Sequence, residues 1–173
     1  MTAVLAMSSN VATRATVVVG KAGRGLFGGE PVRALSSRRS LESPVMGAWG
    51  IGPFENDGAA DLVANIRQGR FTFENIMWAF EDPAYVDVDG GQIAVALGAL
   101  VQATRGLAAN PVPDLDLDAF SDQLTPARVE WVRTQIDRVT DGSLSSELYE
   151  LWEEADELDQ WLEIARAAAP ASP

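Results

Sequence analysis

The stretch Met46-Gly-Ala-Trp-Gly-Ile-Gly-Pro-Phe-Glu-Asn-Asp57 packs two aromatics, three glycines and a proline into a dozen residues, just ahead of a helical pattern. Such a run cannot be a helix or a regular strand. Its glycines permit positive φ, and Pro53 fixes its own φ and restrains Gly52. It is expected to be a tight, irregular loop held down by Trp49 and Phe54.

From Asn56 onward the apolar spacing is that of helices. Asn56 or Asp57 serves as N-cap, its side-chain oxygen taking an unpaired first-turn amide. Ala59, Leu62, Val63 and Ile66 then recur at helical spacing until Gly69. A second short helix fits Phe73, Ile76, Met77 and Phe80, with Thr72 as cap and Pro83 beyond its end. Residues 84–88 read as extended. Asp89 is expected to open a helix reaching Gly106 whose apolar residues lie nearly all round, the mark of a buried central element. Residues 107–124, with Pro111, Pro113 and four aspartates, form a long connection with one turn near Asp118 to Gln123. Thr125-Pro126 is an N-cap followed by proline at the first helical position. Val132 or Trp131, with Ile136 and Val139, gives that helix its face, and Gly142 stops it. Ser145 is expected to cap a short helix with Leu148, Leu151 and Trp152. A last helix carries Leu158, Trp161, Leu162 and Ala165 and ends before Pro170. The fold class is therefore all-α: a compact bundle of five to six helices.

The organisation divides at Met46. Residues 1–45 carry six basic and two acidic residues, a balance of +4. They show no sustained period and are expected to be a disordered tail or sequence ahead of the true start. Arg38-Arg39 is not followed by the apolar stretch that a twin-arginine signal needs. Residues 46–169 form the helical domain and 170–173 a short C-terminal tail. With −12 for the whole chain, residues 46–173 carry −16, from 23 acids and seven arginines.

The absences narrow function sharply. There is no histidine and no cysteine. Serine–histidine and cysteine–histidine nucleophiles, disulfides and ordinary zinc sites are excluded within the chain. The single lysine, Lys21, lies outside the helical part, so Schiff-base chemistry there is excluded too. No metal and no cofactor is expected. The longest apolar run, Ile93 to Val101, has nine residues, whereas a membrane-spanning helix needs about 20. A surface this negative repels phosphate backbones, so nucleic acid is not an expected partner.

The opening stretch resembles a bacterial family called domain of unknown function 4259, whose members typically begin with M-G-x-W-G-x-G-x-F-x-N-D. Glu147-Leu-Tyr-Glu-Leu-Trp-Glu-Glu154 followed by Trp161 is similar to the closing block of that family, an E-L-x-E-L-W-x-E run before a second tryptophan. The resemblance implies a start at Met46 and brings no activity, substrate or catalytic residue. Gly58 departs from it, because a second acid is common after the family's N-D.

Three constellations are candidate sites. Trp49, Gly50, Gly52, Phe54, Asn56 and Asp57 read either as a binding loop, since glycines let a ligand approach the backbone, or as aromatic anchors and a helix cap. The second reading is the stronger, because aromatics bury large areas. Asp114, Asp116 and Asp118 suggest a calcium loop, but its sixth and twelfth positions hold Ala119 and Thr125 in place of glycine and glutamate. Glu147, Glu150 and Glu154 share a helix face, and with Trp152, Glu153, Asp156, Glu157 and Asp159 they offer either a partner surface or a solvated face. The function expected is cytoplasmic and non-catalytic: an accessory or neutralising protein that binds a basic protein partner. The alternative is a carboxylate-dependent, metal-assisted hydrolase using Asp57, Asp61 or the 147–157 acids, and a third is a scaffold self-associating through exposed Trp152 or Trp161.

Overall fold

In a computed structural model, residues 50–142 and 145–172 are described; the expectations for residues 1–45 and for Trp49 fall outside them. The fold is all-α. Its helices are α1 (Asp57–Arg67), α2 (Val88–Thr104), α3 (Asp118–Ser121), α4 (Pro126–Thr140), α5 (Glu147–Glu154) and α6 (Leu158–Ala168). Strands β1 (Tyr85–Val86) and β2 (Ser145–Ser146) add one small parallel ladder.

The order of packing follows from α2. Its sequence Ile93-Ala-Val-Ala-Leu-Gly-Ala-Leu-Val101 has no polar stripe, so it must be covered on every side. Ala94, Ala96, Leu97, Leu100 and Val101 have no exposed surface. Helices α1, α4, α5 and α6 all pack against α2. From α4 come Val132, Ile136 and Val139, all fully buried, while Trp131 is half-buried. Gly98 lies where α4 and α6 converge. A Cβ there would run into Ile136 Cδ1 and stand 2.5 Å from the Ala168 carbonyl oxygen.

Of the two caps the sequence offers α1, the structure uses Asn56, whose Oδ1 accepts from Ala59 N at 2.8 Å. Several other boundaries differ from the sequence reading. Helix α2 starts at Val88, because Asp87 and not Asp89 is the cap, accepting from Gly90 N at 2.7 Å. Ser146 rather than Ser145 caps α5. The stretch after Thr72 is two 3₁₀ turns, Phe73–Asn75 and Met77–Phe80. A three-residue turn alters which side chains face inward. Phe73, Ile76 and Phe80 are buried, but Met77 is 51% exposed. The extended segment at 84–88 does find a partner strand, 60 residues away at Ser145.

The long connection behaves as its composition implies. Leu115 is buried and Leu117 half-buried, while the aspartates around them face solvent. Asp116 Oδ1 accepts from Asp118 N at 2.9 Å, a local turn bond. At the end of the chain Pro170 is buried, and Arg105 and Arg133 bond to Ala171 and Ser172.

Gly98→Ala is expected to destabilise the fold by about 1–3 kcal/mol, because overpacking a filled core forces neighbours off their positions. Urea unfolding followed by circular dichroism measures it as a lowered midpoint with an unchanged slope.

Candidate functional site

The glycine loop lies over the core as a small knot. Gly50 N donates to Glu55 O at 3.2 Å and Glu55 N to Gly52 O at 3.1 Å. The Glu55 carboxylate turns back to accept from Gly52 N at 2.9 Å. A Cβ on Gly50 or Gly52 would meet that carboxylate, the exposed end of a flexible side chain. Phe54 is half-buried against the core, Asn56 is buried and Asp57 is exposed.

Gln92 anchors the start of α1 to α2. Its Oε1 accepts from Gly58 N at 2.9 Å, and the residue is 1% exposed. Gly58 itself has no room for a side chain: a Cβ would stand 2.9 Å from Gln92 Oε1 and 3.2 Å from Asp89 O. Beneath the loop, Gly50, Gly52, Asn56, Gln92, Trp152 and Trp161 line a cavity of about 10 Å³. That is space for about one water, not for a metabolite. Trp152 is buried and stacks on Trp161 with centroids 6.5 Å apart, so neither indole is an exposed surface for self-association. Among the described residues, Trp152 Nε1 is a buried side-chain donor without a hydrogen-bond partner.

The model of the family described as Domain of unknown function (DUF4259) matches residues 47–164. The chain belongs to this family. No curated protein and no solved structure matches it.

In this DUF4259 domain the acidic candidates separate into two groups. Glu150, Glu153 and Glu154 stand exposed on α5. The other group gathers where α1, α2 and α5 begin. Glu147 Oε2 accepts from Val88 N at 3.0 Å and from the Tyr85 hydroxyl at 3.2 Å, so the first residue of α5 caps α2. Burial, then Glu147, Asp87 and Glu150, raise the Tyr85 hydroxyl above its ordinary pKa. The Asp89 carboxyl is likewise raised, first by burial and then by Asp87, Asp57, Asp61 and Glu147. Among the described residues, no three acids are gathered so as to hold a metal ion. At Asp57, Asp87 and Glu147 negative charge is favourable to the dipoles of the helices they open, whereas at Asp89 burial and the neighbouring carboxylates work against it.

Sequence reasoning missed Gln92 and the capping role of Glu147. Their partners lie 34 and 59 residues away, and no local pattern signals such bonds.

Replacing Gln92 by Leu is expected to cost about 1–3 kcal/mol, since Gly58 N–H would be left buried and unpaired; thermal unfolding measures the loss. For Asp89 the folded value lies above the unfolded one, so ionising it opposes folding. That penalty is absent below the ordinary aspartate value of about 4 and grows as pH rises through the raised value. The Tm advantage of Asp89→Asn over the natural chain is therefore expected to be larger at neutral pH than in acid.

Proposed function

We propose that this protein works by binding a basic protein, as a cytoplasmic accessory or neutralising factor, and not by catalysis. The observation that carries the reading is the state of its charges. Residues 46–173 hold 23 acids and seven arginines. Glu74 meets Arg128 at 2.8 Å, and Glu130 and Asp137 meet Arg133 at 3.5 and 3.7 Å. Other arginines spend themselves on carbonyl oxygens: Arg105 on Ala171, Arg138 on Asp82 and Arg166 on Thr140. Among the described residues, most acids consequently face solvent with no cation beside them. A field of that kind steers a positively charged partner and speeds its encounter.

The alternative, a metal-assisted hydrolase using Asp57, Asp61 or the 147–157 acids, draws support from the Asp57, Asp61 and Glu147 carboxylates, which lie near enough to Asp89 to add to burial in raising its carboxyl. Titration calorimetry with magnesium, calcium and manganese separates the two readings, because a metal-assisted site would bind one of them stoichiometrically.

Affinity capture with the tagged full chain is expected to retain a protein of high isoelectric point. Remade from purified components, the complex should weaken steeply as salt shortens the reach of surface charge, about 10 Å at 0.1 M. Failure to capture any protein partner at low or high salt would count against the reading.

A further inference from the structure

Three of the large apolar side chains that stand exposed among the described residues fall within residues 77–85. Met77 and Trp78, in the second 3₁₀ turn, are 51% and 55% exposed, and Tyr85 in β1 is 41% exposed. The turn and the strand pack on each other, so the three exposed residues sit on neighbouring elements. Beneath them the same segment is well anchored. Phe80 meets Trp131 edge to face with centroids 5.1 Å apart, and Arg138 holds the Asp82 carbonyl at 2.7 Å. Trp78 is thus a large side chain left in water by a rigid support.

The charges around it are negative. Glu81 and Asp82 directly follow the turn that carries Trp78, and both acids are exposed. The Asp82 carboxylate accepts from Ala84 N at 2.8 Å, and no arginine pairs with either acid among the described residues. Glu147 lies at the far edge, bonded to the Tyr85 hydroxyl. Arg128 is directed elsewhere, to Glu74 and over the Phe73 ring at 4.9 Å.

We propose that Met77, Trp78 and Tyr85, rimmed by Glu81, Asp82 and Glu147, form the docking surface for a basic partner segment that alternates arginines with apolar side chains. This rests on the reading of the protein as a binder of basic proteins. Arginine satisfies both halves of the surface. Its guanidinium pairs with carboxylates and stacks on aromatic faces, and an apolar neighbour covers Met77. A central tryptophan with a polar rim is also the usual make-up of an interaction hot spot. A second copy of the chain is the wrong occupant, because it would bring the same acids against one another.

The test uses the full chain and two labelled synthetic peptides of equal charge, one alternating arginine with leucine and one alternating arginine with glycine, read by fluorescence anisotropy. Trp78→Ala is expected to weaken the arginine–leucine peptide about tenfold, equivalent to about 1.4 kcal/mol. The arginine–glycine peptide should lose much less. Leu107→Ala, which removes an exposed leucine (61%) elsewhere, should leave both affinities unchanged. Unaltered binding of the arginine–leucine peptide by a folded Trp78→Ala chain overturns this surface and leaves the charge-based reading standing. If neither peptide binds even at low salt, that reading falls and this surface with it. Dimerisation of the natural chain that Trp78→Ala abolishes would assign the surface to a second copy and also overturn the proposal.

Discussion

Everything in this domain depends on covering α2. An isolated helix is marginal in water, and one with no polar face has no stable exposed state. Its burial therefore demands neighbours on all sides, and α1, α4, α5 and α6 supply them. Small residues set how close they come. Gly98 admits Ile136 and the end of α6, and a Cβ at Gly91 would stand 2.8 Å from the Leu148 side chain. Close packing of this kind resists even one added methyl group.

Polar bonds then hold the ends of the helices in place. Gln92 ties α1 to α2, and Glu147 ties α5 to α2. Carboxylates lie at helix beginnings, while arginines reach carbonyl oxygens at helix ends, as Arg166 does at Thr140. Both placements satisfy groups that a helix leaves unpaired and complement its dipole. One consequence is electrostatic. Among the described residues, arginines engaged in this way leave most of the exposed acids unneutralised.

The glycine-aromatic loop changes meaning once it is seen in place. The Glu55 carboxylate folds back over Gly50 and Gly52, and the cavity below has space for little more than a water. Its conformation is accounted for by closure over the core. The exposed aromatic surface is found elsewhere, at Trp78, where helical periodicity had directed attention to the buried side of the segment.

The all-α class, the central buried helix and the Thr125-Pro126 start were legible in the sequence. Each follows from local rules: apolar period, cap chemistry and proline's fixed φ. Absence of histidine and cysteine likewise settled by composition which chemistries this chain cannot perform. Tertiary structure alone decided that Trp152 and Trp161 stack inside, that Tyr85–Val86 pairs with Ser145–Ser146, that Gly58 has no space for a side chain, and that Met77 faces out. Those outcomes turn on contacts between residues far apart in the chain, or on the difference between three and 3.6 residues per turn. Neither is encoded in the spacing of neighbouring residues.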